Sequence, residues 1–374
     1  MRGQASPDRP EAVADSDLVT TVRSMPKAEL HLHLDGSVRV DTALELARTR
    51  GIEAPRTRSG MAGELIAPER CADQAELLRA FDLPIALMQD AEALERIAAE
   101  LIESKAADGV RYVEIRWGPL LHTRRGLSLD DGIGAVVRGA RAGSASTGTV
   151  VRLIATALRS HAPEDNARLA EVASRFRDDG LSGWDLAGPE EAFPDPLLHA
   201  RAFEAARAGG LRITLHAGEW GGADQVRRAL ALEPERIAHG PGAADDPSLM
   251  AELIGRNVTL DLCPTSNVQA GIVPSLEAHP LARLARAGVP VTLSTDDATV
   301  SDISLSDEYE RAIARVGLTL AELWAIDRHA LDVAFADEPT LGPLRAEFDA
   351  WRVAQRAVAP PSAELDTRLH TPST

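Results

Sequence analysis

Residues 28–36, AELHLHLDG, carry the alternating pattern from which the fold of this chain is inferred. The leucines of this stretch alternate with His31 and His33, which is the period-two pattern of a β-strand. Both imidazoles therefore project from one side of the strand, and the leucines project from the other. An HxH pair alone fits either two metal ligands or two histidines buried in a core. Other residues of the chain are needed to choose between these two interpretations.

Seven further apolar runs follow, separated by segments rich in Ala, Leu, Arg and Glu with helical periodicity. The eight runs span residues 28–36, 111–119, 150–158, 183–188, 211–219, 236–240, 258–266 and 289–297. This alternation predicts an α/β fold, a (β/α)8 TIM barrel. Residues 41–104, between the first two runs, are too many for one helix and predict extra helices that form a lid over the barrel mouth.

Length and charge limit the classes of protein that fit. The 374 residues suit one barrel domain over 21–356, with disordered polar tails at 1–20 and 357–374. The formal net charge of −17 argues against nucleic-acid and membrane partners, because it repels phosphates and anionic lipid. Two distant cysteines and the lack of a signal-peptide core predict a cytoplasmic location, whereas monomer and homodimer both stay open.

Two more possible metal ligands lie at the ends of predicted strands. His216 ends the fifth strand in ITLHAGE, and Asp296 ends the eighth in VTLSTDD. The carboxyl ends of barrel strands meet at one face, where barrel enzymes keep their active sites. Three imidazoles and one carboxylate suit Zn²⁺ and leave room for a water. We therefore predict a zinc site formed by His31, His33, His216 and Asp296.

The positions of the lysines bear on the number of metal ions. Two-metal barrel hydrolases often bridge their ions with a carbamylated lysine on a middle strand. The only lysines here are Lys27, before the first strand, and Lys105, in the helix that leads to the second. Neither position fits a bridging ligand, so the sequence predicts one zinc ion per chain.

Five motifs in this chain resemble those of the adenosine deaminase family. They are MPKAELHLHLDGS (25–37), HAGE (216–219), RIAHG (236–240), CPTSN (263–267) and STDD (294–297). The resemblance covers roughly residues 24–345 and keeps the family's motif order. It implies a zinc-dependent hydrolase of purine nucleoside metabolism that deaminates an adenine-type nucleoside, with conversion of adenosine to inosine and ammonia as the first expectation.

The resemblance also implies catalytic roles. Glu219 would donate a proton to the ring nitrogen beside the attacked carbon, and burial would keep its carboxyl protonated. His239 would orient or deprotonate the attacking water, and Asp296 would both ligate the metal and accept a hydrogen bond. The alternative for Glu219 is a carboxylate placed at a helix N-terminus because the helix dipole favours it.

Substrate contacts are implied for four residues of the same motifs or near them. These are His33, Asp35, Gly188 and Asp297. Asp35 would reach the ribose, Asp297 the imidazole edge of the purine, and the Gly188 backbone N–H the other side of the ring. Cys263 and Asn267 are expected to be structural.

The sequence departs from the family pattern near two of these positions. Pro189 follows Gly188 where an acidic residue is usual, and Ala298 follows Asp297 where Pro or Asn is frequent. Proline lacks a backbone donor and restricts the residue before it. Both changes concern specificity, so a deoxy-, methylthio- or aminodeoxyfutalosine-type nucleoside, or adenine itself, stays open as the substrate.

Two other kinds of function fit parts of the pattern. Hydrolysis of an amide or lactone needs a mononuclear site but no carboxylate at a ring edge, so the presence of Asp297 favours the purine reaction. A non-catalytic purine-binding barrel needs no complete ligand set and no Glu219, yet all of these residues are present.

Overall fold

The computed structural model describes residues 11–358 and contains one sheet of eight parallel strands. Each strand pairs with the next along the chain, in the order β1 to β8. The strands are β1 (Lys27–His33), β2 (Val110–Trp117), β3 (Val150–Leu158), β4 (Leu181–Ala187), β5 (Arg212–His216), β6 (Arg236–Ala238), β7 (Thr259–Leu262) and β8 (Val291–Leu293).

The last strand returns to the first, which makes the sheet a nearly closed barrel. A parallel bridge joins Leu32 to Asp296, just past β8. The His33 N–H donates to the Asp296 carbonyl over 2.8 Å, and the Asp296 N–H donates to the His31 carbonyl over 3.1 Å. The predicted (β/α)8 barrel is confirmed, and the seam between its two ends runs beside the predicted metal ligands.

Burial explains why the strands are so apolar. All residues of β7 and β8, and all but the last residue of β1, are buried. The barrel interior covers one face of the sheet and the surrounding helices cover the other, so parallel strands appear as nearly continuous apolar runs. One large apolar cluster fills the space between the sheet and the helices.

Sixteen α-helices surround this sheet within the described residues. They are α1 (Glu11–Ser24), α2 (Val40–Arg50), α3 (Arg58–Leu65), α4 (Gln74–Leu78), α5 (Asp82–Leu87), α6 (Ala91–Ala107), α7 (Leu129–Thr147), α8 (Pro163–Ala173), α9 (Ala200–Ala208), α10 (Gly222–Leu230), α11 (Pro247–Arg256), α12 (Pro264–Gln269), α13 (Leu281–Arg286), α14 (Leu305–Ala314), α15 (Leu320–Val333) and α16 (Glu338–Val358). Side-chain caps fix several N-termini: Asp90 accepts from the Ala93 N–H at α6, and Ser128 accepts from the Asp131 N–H at α7.

Helices α2–α5 are the extra segment predicted between the first two strands, and we call them the lid. The helix that fills the ordinary barrel position before β2 is α6. The lid and the short turn within it present six side chains to the cavity at the carboxyl ends of the strands: Gln74, Leu77, Leu78, Phe81, Asp82 and Ile85. The insertion therefore covers the barrel mouth, as the sequence predicts.

Helix α1 (Glu11–Ser24) occupies the second half of the segment expected to be a disordered tail, residues 1–20. The remaining parts of the two expected tails, residues 1–10 and 359–374, lie outside the described residues. No helix between residues 11 and 358 has the length and apolar character needed to cross a membrane.

Candidate metal centre and active site

The barrel brings the four predicted ligands together. His31 and His33 lie on β1, His216 ends β5, and Asp296 follows β8. One ligand atom from each of them falls within 4.8 Å of the others. His31 is fully buried, whereas His33, His216 and Asp296 line the cavity beneath the lid.

The distances between these atoms form a compact set. The Nε2 atoms of His31 and His33 lie 3.3 Å apart, and those of His33 and His216 lie 3.2 Å apart. Oδ1 of Asp296 lies 2.9 Å from the first of these nitrogens and 3.3 Å from the second. Zinc–nitrogen bonds of about 2.0–2.1 Å place neighbouring donors of a tetrahedral set roughly 3.3 Å apart, so this spacing fits Zn²⁺.

The atoms of the four residues that point toward one another have no hydrogen-bond partner among the described residues outside the set, whereas Oδ2 of Asp296 accepts from Oγ of Ser266 over 2.7 Å. Burial lowers the pKa of His31, His216 and His239, the last to about 3, so all three rings are neutral at pH 7. Oδ1 of Asp296 is buried and accepts no hydrogen bond. Neutral nitrogens and a carboxylate oxygen that converge without donors between them are a set that a cation stabilises. The residues therefore fit a metal ion.

Asp185, on β4, contacts the metal-binding residue His216. It is not among the site residues predicted from the sequence. Its Oδ1 lies 3.1 Å from Nδ1 of His216, and its Oδ2 accepts from Oγ1 of Thr156 over 3.1 Å. Arg116 lies beneath, with Nη1 3.5 Å from Oδ2 of Asp185, and both side chains are fully buried. Burial disfavours the ionised carboxyl, but His216 and Arg116 hold the pKa of Asp185 far below its usual range. A carboxylate here fixes which nitrogen of His216 is protonated.

His239 follows β6 with a backbone φ of 67°, in the left-handed region. Its Nε2 lies 3.7 Å from Oδ2 of Asp296 and 3.9 Å from Oε2 of Glu219. Its ring centroid lies 4.7 Å from that of His31. The ring therefore lies between the metal ligands and the predicted proton donor, and its contact to an attacking water stays a prediction.

A chain of hydrogen bonds reaches His239 from behind. The Leu281 N–H donates to Nδ1 of His279 over 3.2 Å, so a neutral His279 carries its proton on Nε2. That atom lies 3.1 Å from Oδ1 of Asn267, and Nδ2 of Asn267 lies 3.1 Å from Nδ1 of His239. Burial lowers the pKa of His279 to about 3 and keeps it neutral. Asn267, expected to be structural, therefore contacts the predicted catalytic histidine directly.

Glu219 lies on the turn after β5 and lines the cavity. Burial raises the pKa of its carboxyl well above its usual value, and the charges of Asp296 and Glu190 raise it further. This is the protonated state that the predicted proton donor needs. Glu219 also lies three residues before α10, so placement near a helix N-terminus stays open as the alternative.

The other predicted contacts meet in the same cavity, whose volume is about 370 Å³. Asp35, Gly188 and Asp297 all line it. Asp297 packs against Gly36, where a Cβ atom would lie 1.7 Å from its Oδ1, so only glycine fits there. Burial, followed by the charges of Asp296 and Asp35, raises the pKa of Asp297 well above its usual value. Gly188 has a φ of 110°, which explains why glycine stands before Pro189.

Comparisons with known proteins place this geometry in context. The family model for adenosine deaminase matches residues 26–351. The adenosine deaminase of Enterococcus faecalis is 36% identical over 314 residues, which cover 84% of this chain and 93% of that protein.

Two solved structures agree in fold. A zinc-bound amidohydrolase from Burkholderia ambifaria has a TM-score of 0.82 and 29% identity, covering 91% of this chain and 94% of its own. The N6-methyl-AMP deaminase of Arabidopsis thaliana has a TM-score of 0.78 and 31% identity, covering 89% and 98%.

A nearly closed barrel with a His/Asp metal-binding group at the carboxyl ends of its strands defines a metal-dependent barrel hydrolase. Within that class, the chain belongs to the adenosine deaminase family.

Proposed function

We propose that this protein hydrolyses the exocyclic amine of an adenine nucleoside, with adenosine as the substrate and inosine and ammonia as the products. The observation that carries the proposal is that Glu219 and Asp297 open into the same cavity as the metal-binding group, and burial raises the pKa of the Glu219 carboxyl. Hydrolysis of a simple amide needs no carboxyl group at a ring edge, which is the predicted position of Asp297. The relative from Enterococcus faecalis, an adenosine deaminase, supports the same substrate.

One zinc ion per chain completes the proposed site, held by His31, His33, His216 and Asp296. When bound, zinc makes a water nucleophilic at neutral pH. Both lysines are engaged elsewhere: Lys27 Nζ donates to the Met25 carbonyl over 2.9 Å, and Lys105 Nζ lies 2.8 Å from Glu29 Oε2. Neither is available to bridge a second ion, which supports a mononuclear site.

Each residue of the proposed site has its own role in the addition of water and the release of ammonia. Glu219 donates its proton to the ring nitrogen beside the attacked carbon, which makes that carbon more electrophilic. Asp297, also protonated, donates a hydrogen bond to the imidazole edge of the purine. The Gly188 N–H contacts the opposite edge of the ring, and Asp35 and His33 contact the ribose side.

For His239, orientation of the water is the better of the two predicted roles. The hydrogen bonds from Leu281 through His279 and Asn267 leave the proton of a neutral His239 on Nε2, which faces the cavity. An N–H at that position donates to the water oxygen and aims its lone pair at the purine. Because Nε2 of His239 already carries a proton, it cannot also accept one from the water.

The cavity lining favours a nucleoside over a nucleotide. Among the described residues that line it, none is lysine or arginine, whereas Asp35, Asp82 and Asp296 contribute carboxylates. A 5′-phosphate would meet these carboxylates and the apolar lid side chains without a cationic partner. The proposed substrate therefore differs in this respect from that of the related N6-methyl-AMP deaminase.

The proposed partner is a small purine nucleoside, and the protein acts as a monomer or homodimer. A cytoplasmic location is proposed with it, because Cys71 and Cys263 are both free and buried, as is usual in a reducing compartment.

The test is a panel of purines incubated with zinc-loaded protein, followed by the ultraviolet change from aminopurine to oxopurine. The panel contains adenosine, 2′-deoxyadenosine, methylthioadenosine, aminodeoxyfutalosine, adenine and AMP. We expect adenosine to have the highest kcat/KM and AMP to have a value at least about 100-fold lower, because an unpaired buried charge costs several kcal/mol. No reaction with any member contradicts deamination, and equal rates for adenosine and AMP contradict the assignment to nucleosides.

A further inference from the structure

The turn that follows β5 carries Glu219 between two glycine-rich flanks, and we call residues 217–221 the acid turn. Gly218 has a φ of 73°, and a Cβ atom there would lie 2.5 Å from Cγ2 of Val226. The turn therefore depends on glycine, and its one large side chain, Trp220, packs against the apolar cluster that contains Leu77 and Ala80. The backbone N–H groups on both sides of Glu219 still need acceptors from outside the turn.

Glu190 makes that contact from the loop after β4. Its Oε1 accepts from the Gly218 N–H over 2.7 Å. Its Oε2 accepts from the Trp220 and Gly221 N–H groups, each over 2.8 Å. One carboxylate thus binds backbone donors on both sides of Glu219, and it is 1% exposed.

Arg159 lies against the same carboxylate and holds the start of the turn. Its Nη2 lies 3.6 Å from Oε1 of Glu190 and donates to the His216 carbonyl over 3.0 Å. Its Nη1 donates to the Phe193 carbonyl over 3.2 Å, which ties down the loop that carries Glu190. The two side chains therefore fix a metal ligand and the proposed proton donor relative to each other.

This arrangement is energetically costly, which argues for a specific role. The guanidinium and the carboxylate are each 1% exposed, and buried ion pairs recover their desolvation cost only through well-made hydrogen bonds. Here the hydrogen bonds go to the backbone around Glu219 rather than to a distant part of the barrel. The negative charge also faces Glu219 and contributes to the raised pKa of that carboxyl.

We propose that Glu190, supported by Arg159, is a positioning residue that holds Glu219 in line with the purine ring through three backbone hydrogen bonds to the acid turn. This inference deepens the proposed deamination and rests on it. In Glu190→Gln, the side-chain NH₂ group faces at least one backbone N–H and cannot accept a hydrogen bond from it. The turn then shifts, while the metal ligands and the lid stay in place.

The first experiment compares Glu190→Gln with Glu191→Gln, a matched change at the exposed neighbouring residue. We expect Glu190→Gln to lower kcat for adenosine about 10- to 100-fold with KM within about threefold, because a displacement of about 1 Å costs up to 10²-fold. Bound zinc stays at the wild-type level. Wild-type kcat in Glu190→Gln, or an equal loss in Glu191→Gln, overturns the proposal.

The second experiment separates positioning of Glu219 from a general loss of structure. If Glu190 acts through Glu219, the double variant Glu190→Gln/Glu219→Gln loses no more kcat than Glu219→Gln alone. Multiplied losses show that Glu190 acts elsewhere and overturn the proposal.

Amide hydrogen exchange provides a readout that does not depend on turnover. We expect peptides spanning residues 216–221 to exchange at least about tenfold faster in Glu190→Gln, because the backbone N–H groups of the acid turn lose hydrogen bonds to a charged acceptor. Glu191→Gln should leave these peptides unchanged. Unchanged exchange in Glu190→Gln contradicts the positioning contact even where wild-type protein is active. If the wild-type protein deaminates no substrate, the proposed function is wrong. The hydrogen-exchange result still tests the contact between Glu190 and the acid turn.

Discussion

Nδ1 of His216 lies 3.1 Å from Oδ1 of Asp185, and this contact fixes the orientation of the His216 ring at the metal site. The carboxylate holds the ring proton on Nδ1, so the lone pair on Nε2 points toward the other ligands. Asp185 is itself held by Thr156 and by the buried Arg116 beneath it. The metal-binding group is therefore supported by ionic contacts that reach down into the barrel interior.

Replacement of Asp185 tests this support. An amide at this position no longer attracts the ring proton, and the affinity for zinc should fall about 10- to 100-fold in Asp185→Asn. Competition with a chromogenic chelator measures the change. Asp178→Asn, at an exposed carboxylate, is the control and should bind zinc as tightly as wild type. Equal affinities in the two variants would remove Asp185 from the metal site.

Removal of the Glu219 carboxyl proton should lower kcat and leave the bound zinc unchanged. Glu219→Gln keeps the shape of the side chain but cannot transfer a proton, so kcat should fall about 10²- to 10⁴-fold while zinc content stays at the wild-type level. Elemental analysis and steady-state kinetics on one preparation measure both quantities. His31→Ala is the contrasting variant and should lose the metal. Near-normal turnover in Glu219→Gln excludes it as the proton donor.

The direction of the hydrogen bonds behind His239 makes a third prediction. A carboxylate in Asn267→Asp accepts from both neighbouring histidines, draws the His239 proton onto Nδ1 and removes the N–H that faces the cavity. We expect kcat to fall about 10- to 100-fold at full zinc occupancy.

Asn166→Asp is the matched control for this change, because the buried Asn166 amide also contacts a histidine, His199, over 3.0 Å but takes no part in the proposed reaction. Its kcat should stay close to the wild-type value when the protein is folded. A wild-type kcat in Asn267→Asp would show that the proton position on His239 is unimportant for catalysis.

Asp327, on α15, predicts a pH dependence of stability. Its Oδ1 accepts from the Ala28 N–H over 2.8 Å and from the Tyr309 hydroxyl over 2.7 Å, and burial raises its pKa to about 7. In an unfolded chain the pKa is about 3.9, so the folded protein binds more protons between these values and its free energy of unfolding falls as pH rises.

Asp327→Asn cannot ionise and should escape this decline. Relative to wild type, its free energy of unfolding should rise by about 2.6 kcal/mol between pH 5 and pH 8, since one pKa unit corresponds to about 1.4 kcal/mol. Urea unfolding at several pH values measures the difference. A difference between the two proteins that is constant with pH would show that the Asp327 carboxyl is ionised throughout.

The predicted strands and the predicted ligand set agree with the structure for a physical reason. Strand periodicity is local, and His31, His216 and Asp296 all mark strand ends that a barrel must bring to one face. Supporting residues are harder to predict, because their partners lie on other strands. Asp185 still carries a signal: a carboxylate inside the apolar run GWDLAG needs a buried partner.

Asn267 and Glu190 carry weaker signals. Asn267 lies in a helix that packs behind His239, and nothing in CPTSN indicates which of its neighbours the amide contacts. Pro189 stands where the family usually has an acidic residue, and Glu190, whose carboxylate binds the backbone of the acid turn, comes one position later. Helix α1 also differs from the expected tail, because its polar composition conceals a helix of 14 residues.

The seam of the barrel has a consequence for how the protein is made. Chains leave the ribosome from the N-terminus, so His31 and His33 emerge early, whereas Asp296 emerges only after β8 has been synthesised. Until then the nascent chain holds imidazoles without the carboxylate that completes the set. The proposed zinc ion would therefore find all four ligands only after the barrel has closed, and it would join the first strand synthesised to the last.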